Sequence, residues 1–189
     1  MTQSQPQRQP TDDQAAQPTA ILIGPPGSGK TTVGALLAER LGVAYLDTDV
    51  SVEAVAGKPV ADIFVEDGEP VFRKLEHEAV AAALSGHDGV LGLGGGAVLD
   101  ERTRALLAGQ PVVYLETGFT ELAKRVGLDK PRPLLIGINP RAQLKTLLDA
   151  RRPVYSGLAA ITVSTDGREP DQIADEITVL LTAPHGERD

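Results

Sequence analysis

Eight residues constrain this chain more than any others: Gly24-Pro25-Pro26-Gly27-Ser28-Gly29-Lys30-Thr31. They fit the spacing G-x-x-x-x-G-K-[ST] at every fixed position. Ahead of them, residues 19–23 (TAILI) read as a short buried strand. Behind them, residues 32–41 read as a helix with Val33, Leu36, Leu37, Ala38 and Leu41 on one face. Strand, glycine loop and helix in this order build a phosphate cradle. The glycines let the backbone curl so that successive N–H groups face inward, and the helix N-terminus adds partial positive charge. Gly27, Ser28, Gly29, Lys30, Thr31 and Thr32 then bind the nucleotide. Lys30 reaches the β- and γ-phosphates, and the Thr31 hydroxyl ligates Mg²⁺. The alternative, a glycine turn that happens to precede a helix, does not explain the whole pattern. The chain is expected to bind a nucleoside triphosphate.

Composition narrows the rest. At 189 residues and 41% hydrophobic, the chain suits one compact domain with a real core. Aromatics are only 3%, so Ala, Val, Leu and Ile must fill that core. There is no Cys, which removes disulfides, thiolate metal sites and thiol nucleophiles, and three scattered His do not make a His-based metal site. No apolar run approaches the ~20 residues that span a bilayer, and the polar N-terminus shows no signal peptide. A cytoplasmic location is the default expectation. A net charge of −8 argues against nucleic acid or an anionic membrane as partner. Within this acidic chain, residues 124–152 hold eight basic and two acidic residues. The island reads as a site for small anions; a solvated, ion-paired helix face is the alternative.

Residues 1–18 are rich in Gln, Pro, Thr and Asp and are expected to form a disordered tail. A second strand at 43–46 leads into Asp47-Thr48-Asp49, at the sheet edge where ligands of α/β proteins bind. Many relatives of this loop place a Mg²⁺-organising Asp at the end of a later strand. Here the candidate strand at 90–93 ends in glycines, so Asp47 is the best-placed carboxylate to help hold the metal. Asp49 is then free to meet the acceptor, and is also expected to cap a helix over 50–56. A short helix is expected at 60–65 and a longer one at 69–84, with Val71, Phe72, Leu75, Val80, Ala83 and Leu84 on its apolar face. On the longer helix Arg73 and Glu76 share a face, and spacing alone makes them a surface ion pair.

The run Gly92-Leu93-Gly94-Gly95-Gly96-Ala97 also fits the dinucleotide fingerprint G-x-G-x-x-A, with Glu116 about 20 residues on as its ribose acid. That fingerprint is short, and the first strand already supplies a nucleotide loop. Gly94 to Gly96 are read instead as backbone passing close to a ligand. Helices are expected at 101–108 and 119–126, with a strand at 111–115 between them. Residues 127–140 carry three Pro around the basic residues and read as a lid, with Arg132 held between Pro131 and Pro133. A helix over 141–158, interrupted at Pro153, a strand at 161–163 and a helix over 171–181 complete the chain, with a frayed end from 183.

The ordered set of motifs resembles shikimate kinase across residues 19–182. The residues that carry the resemblance are the phosphate loop, Asp47-Thr48-Asp49, Phe72-Arg73-Lys74-Leu75-Glu76, Gly94-Gly95-Gly96-Ala97, Arg132-Pro133-Leu134-Leu135, Arg151-Arg152-Pro153-Val154-Tyr155 and Arg168-Glu169-Pro170. The resemblance implies a three-layer αβα fold of the P-loop NTPase type, with a five-stranded parallel sheet in the order 2-3-1-4-5. It implies transfer of phosphate from ATP, with Mg²⁺, to the 3-hydroxyl of shikimate, on the route to chorismate and the aromatic amino acids. Lys30, Asp49 and Arg132 would be catalytic, and Thr31 and, through water, Asp47 would hold the metal. Arg73 and Arg151 would hold the shikimate carboxylate with Glu76 steadying Arg73, and Gly94, Gly95 and Gly96 would face the ring. Arg125 and Pro170 would sandwich adenine with Arg168 nearby. A monomer, with no nucleic-acid or membrane partner, is implied as well. Gly92, where a small polar residue or Ala is expected, should loosen its strand. The rivals are another small-molecule kinase of this type, for gluconate or a nucleoside monophosphate, and a non-catalytic nucleotide-binding module.

Overall fold

The computed structural model describes residues 17–128 and 139–183. The expected tail (as far as residue 16), most of the expected lid including Arg132, and the end from residue 184 lie outside the described residues. Five strands alternate with helices: β1 (Ala20–Ile23), β2 (Tyr45–Asp47), β3 (Val90–Gly92), β4 (Val112–Glu116) and β5 (Ile161–Ser164). They form one parallel sheet in the order β2-β3-β1-β4-β5. The fold is the three-layer αβα P-loop fold with the order 2-3-1-4-5.

The three central strands, β3, β1 and β4, are buried on both faces, as a sheet covered on both sides requires. In β1 every residue is buried. Ala20 and Leu22 point into a cluster with Val33, Leu37, Ile173 and Ile177, from α1 (Lys30–Leu41) and α8 (Pro170–Thr182). Ile21 and Ile23 point into the opposite cluster, with Val80 of α4 (Glu69–Gly86), Leu107 of α5 (Glu101–Leu107) and Tyr155 of α7 (Pro140–Leu158). Aliphatic residues fill most of this core, but its two largest fully buried side chains are Tyr114 and Tyr155, stacked 5.2 Å apart. A third, small cluster of Val52, Ile63 and Phe72 holds together a lobe. That lobe comprises α2 (Thr48–Ala56), α3 (Val60–Asp62), a π-helical turn (Ile63–Asp67) and the start of α4. One further helix, α6 (Phe119–Arg125), follows β4.

Four expectations change. The second strand lies at Tyr45–Asp47, two residues later than expected at its start. The helix expected at 60–65 is a single α-turn that widens into the π-turn before Gly68 stops it. Val71, placed on the apolar face of α4, is 43% exposed, because the lobe covers only the side carrying Phe72, Leu75 and Ala79. Finally, α7 runs unbroken through Pro153. A helix-interior proline costs about 3 kcal/mol through its lost hydrogen bond and ring clash. Two residues on, the Tyr155 ring stacks on Tyr114 and its hydroxyl donates to the Gly95 carbonyl at 2.6 Å. That anchorage holds the helix on course and offsets the cost.

Candidate active site

Both halves of the site lie at the carboxyl edge of the sheet. On the nucleotide side, the loop between β1 and α1 turns through Gly27 (φ +84°) and Gly29 (φ +95°), values that L side chains rarely adopt. Lys30 folds back over this loop and donates to the carbonyls of Gly24 at 2.9 Å and Pro25 at 3.1 Å. Burial lowers its pKa to about 8, opposed by the nearby carboxylates Asp49 and Asp47. A cavity of about 340 Å³ opens beside the loop. It is lined by Ser28, Gly29, Thr32, Arg125, Arg168 and Pro170, among others. Its walls are fixed by hydrogen bonds. Arg125 pairs with Glu121 at 2.9 Å and donates to the Thr165 hydroxyl at 3.2 Å and carbonyl at 2.9 Å. Thr165 in turn meets the buried hydroxyl of Thr117 at 2.8 Å. Arg168 is held by Glu176 at 2.6 Å and the Ser164 carbonyl at 3.1 Å.

The candidate metal position lies between the two halves. The Thr31 hydroxyl donates to Asp47 Oδ2 at 3.2 Å. Among the described residues no group of three or more His, Cys, Asp and Glu could hold a metal unaided. This all-oxygen pair suits Mg²⁺, which takes one or two protein oxygens and completes its shell with phosphates and water. Asp47, not Asp49, caps α2: its Oδ1 accepts from the Asp49 N–H at 3.0 Å. The helix begins two residues earlier than expected, so the first acid of the pair occupies the capping position. That frees the Asp49 side chain, whose Oδ1 is buried with no hydrogen-bond partner. Burial first, and Asp47 second, raise the pKa of Asp49, while Lys30 opposes them.

On the acceptor side, Asp49, Arg73, Glu76 and Arg151 gather around the loop after β3. A methyl group built on Gly94 would come within 2.5 Å of Asp49 Oδ1 and 2.7 Å of Glu76 Oε1. One on Gly96 would strike the Arg73 guanidinium, and one on Gly95 would reach 2.7 Å from Pro26 Cδ in the phosphate loop. Arg151 donates to the Gly95 carbonyl at 3.3 Å. The Arg73–Glu76 pair is not a surface pair: the bond is 2.6 Å, and the Glu76 side chain is only 3% exposed. Burial raises the Glu76 pKa and Arg73 opposes it. Removing one partner of such a pair leaves a buried charge uncompensated, so spacing alone undervalued it. Arg73 also lies over the rings of Phe64 and Phe72, 6.0 and 5.3 Å from their centroids.

The basic island divides. Arg125 and Arg151 face the two pockets, whereas Lys145 pairs with Asp149 on an exposed helix face. The dinucleotide reading of the run from Gly92 to Ala97 fails, because a three-residue 3₁₀ turn (Ala97–Leu99) follows the glycines instead of a helix. Glu116, its would-be ribose acid, lies 3.7 Å from Arg152. Gly92 has a use in β3 that the sequence does not show. It makes room for the Tyr45 ring, which a methyl group there would strike. Sequence reasoning missed four contributors: Thr48, whose hydroxyl accepts from the Gly94 N–H at 3.2 Å, and Thr165, Tyr155 and Phe64. Tyr155 was within reach, since it closes the motif that begins at Arg151. Thr48 was equally within reach, between Asp47 and Asp49, whereas Thr165 carries no pattern that marks it.

Residues 26–182 match the sequence model of the shikimate kinase family. The chain is 63% identical over 166 residues to a shikimate kinase of Saccharopolyspora erythraea, covering 88% of this chain and 95% of that protein. It is 60% identical over 169 residues to a shikimate kinase of Thermobifida fusca, covering 89% and 98%. Among solved structures, shikimate kinase from Acinetobacter baumannii in complex with shikimate matches with a TM-score of 0.79 and 37% identity, over 88% of this chain and 93% of that one.

Proposed function

The chain belongs to the shikimate kinase family, and from that premise we propose which of its residues carry the reaction. The enzyme phosphorylates the 3-hydroxyl of shikimate with ATP and Mg²⁺, a step towards chorismate and the aromatic amino acids. The gluconate, nucleoside monophosphate and non-catalytic alternatives give way to that assignment.

The observation that carries the residue roles is the gathering of Asp49, Arg73, Glu76 and Arg151 around Gly94 to Gly96, against the loop that holds Lys30. Arg73 and Arg151 bind the shikimate carboxylate, for which a planar guanidinium is the best partner. Glu76 holds Arg73 in place from beneath. Gly94, Gly95 and Gly96 keep their side of the pocket free of side chains, so that the ring approaches the backbone. Asp49 orients the acceptor hydroxyl and takes its proton at a carboxylate oxygen. Its raised pKa makes it a better proton acceptor than an ordinary carboxylate.

Phosphoryl transfer has a loose transition state, so positioning and charge dominate over base strength. Gly27, Ser28, Gly29, Lys30, Thr31 and Thr32 bind the phosphates, while Arg125, Arg168 and Pro170 bind the adenosine end. Thr31 and, through water, Asp47 would hold Mg²⁺, which would supply charge neutralisation at the phosphate oxygens. For Arg132, as a third cation, support comes from the sequence match alone. A monomer, as the family resemblance implies, acting in the cytoplasm completes the proposal. Among the described residues no helix is long and apolar enough to cross a membrane.

The test is Asp49→Asn, which keeps size and removes the charge. Turnover should fall by about 10³-fold, within the 10² to 10⁴ that a positioned base contributes. ADP and shikimate affinities by calorimetry should stay within about threefold. Near-normal turnover would remove Asp49 from the reaction.

A further inference from the structure

Tyr45 has no part in the roles above, yet two helix and strand positions are shaped to admit it. Its ring lies in a slot between Gly34 of α1 and Gly92 of β3. A methyl group on Gly34 would come within 2.8 Å of Tyr45 Cδ2 and 3.0 Å of Cζ, and one on Gly92 within 3.1 Å of Cζ. Neither glycine adopts a positive φ, so neither serves a turn. Glycine inside a helix costs about 1 kcal/mol relative to Ala, and α1 accepts that cost at Gly34. A leucine or phenylalanine would also fill the slot. What tyrosine adds is its hydroxyl, which donates to Asp47 Oδ2 at 3.2 Å.

That oxygen is the one that also accepts from Thr31 Oγ1 at 3.2 Å, while Oδ1 accepts from the Asp49 N–H at 3.0 Å. The Asp47 carboxylate is thus held at both oxygens, and Tyr45 supplies one of its three bonds. The backbone bond alone leaves Oδ2 free to swing towards water. The Tyr45 ring is wedged between two elements and has little freedom of its own. The Tyr45 phenol supplies an O–H donor to Oδ2, in the way that outer-shell partners orient metal-binding carboxylates.

We propose that Tyr45 is a positioning residue for the divalent-cation site, its hydroxyl fixing the Asp47 oxygen that faces Thr31. The proposal rests on the reading of Asp47 as the carboxylate that helps hold Mg²⁺. Tyr45→Phe keeps the ring in the slot and removes only the donor. Binding of Mn²⁺ to the full-chain protein with ADP, followed by the electron paramagnetic resonance of free Mn²⁺, reads the site without turnover. The substitution should weaken Mn²⁺ about tenfold, the low end of what outer-shell losses cost. ADP affinity without metal should be unchanged. In the assay, half-saturating Mg²⁺ should rise by about the same factor while kcat at saturating Mg²⁺ stays near that of the parent. Asp47→Ala should weaken Mn²⁺ more, and adding Tyr45→Phe to it should cost nothing further, because the hydroxyl acts through Asp47. Parent-like Mn²⁺ binding in Tyr45→Phe beside a loss in Asp47→Ala would overturn the role of Tyr45 and leave that of Asp47 standing. Additive losses in the double variant would mean that the hydroxyl acts independently of Asp47, and would overturn the proposal. Parent-like binding in Asp47→Ala would remove Asp47 from the site, and the proposal with it.

Discussion

Gly27 and Gly29, in the loop after β1, sit at φ +84° and +95°. Gly96, in the loop after β3, sits at −103°, and neither Gly94 nor Gly95 is left-handed. The two glycine-rich loops meet where Gly95 packs on Pro26, so one edge of the sheet serves donor and acceptor together. Their glycines answer different needs. In the phosphate loop, glycine permits a backbone shape that turns N–H groups inward. In the acceptor loop the backbone is ordinary, and glycine leaves room for the side chains of Asp49, Glu76 and Arg73. The first loop is built of main chain; the second is a frame for charged side chains that come from α2 and α4.

The largest expected effect tests the second half of that contrast. Gly94→Ala puts a methyl group 2.5 Å from Asp49 Oδ1 and 2.7 Å from Glu76 Oε1, so both buried carboxylates must shift. Turnover with shikimate should fall by about 10³-fold, comparable to loss of the base, while ADP affinity by calorimetry stays within about threefold. A fall in ADP affinity as large as the fall in turnover would mean that the loops are not separable. Gly29→Ala tests the first half. The space there is open, the nearest side-chain atom being Val33 Cγ2 at 3.9 Å, so only the backbone objects. A left-handed L-residue costs about 1–2 kcal/mol, which should appear as roughly a tenfold loss of nucleotide affinity or as an equal loss of stability. Shikimate binding should not change. Unchanged nucleotide affinity together with an unchanged melting temperature would show that this φ is not required.

The contrast also explains what was legible in the sequence. The phosphate loop is local: its glycines, Lys30 and Thr31 are neighbours in the chain, so spacing alone carries the geometry. The alternation of strands and helices is also local, read from apolar runs and helix periodicity, whereas the sheet order 2-3-1-4-5 comes only from the family resemblance. The acceptor pocket is not local. Arg73 and Glu76 read as an exposed pair until Gly94 and Gly96 close over them, and no spacing within α4 reports that. Asp47 and Asp49 exchanged the capping role because a two-residue difference in helix start decides which carboxylate turns outward. Tyr45 is further from view still. Its two partners, Gly34 and Gly92, lie 58 residues apart in the numbering, and nothing in the sequence ties one to the other. Only the pairing of β2 with β3 beside α1 makes them one slot.

The smallest expected effect concerns protons, and it again separates the loops. Lys30 is buried in the free protein, and its pKa is lowered to about 8. At pH 8 about half of the molecules therefore carry it neutral. Nucleotide phosphates beside it favour the charged form, so binding should draw in a proton: about 0.5 per ADP at pH 8, and close to none at pH 6. Nucleotide affinity should accordingly weaken as pH rises above 8. The sign for stability is opposite. Between about 8 and 10.5 the unfolded chain holds this proton more tightly than the folded one, so the Lys30 contribution to stability rises with pH. Calorimetry of ADP binding at pH 8, in two buffers of different ionisation enthalpy, counts the protons, and Lys30→Met should abolish the uptake. The acceptor pocket offers the control. Its carboxylate-binding cations, Arg73 and Arg151, are guanidiniums that stay charged over this range, so shikimate binding should take up no proton between pH 7.5 and 9. Proton uptake with shikimate but not with ADP would reverse the assignment of the titrating group, and would place it among the side chains that Gly94 and Gly96 frame.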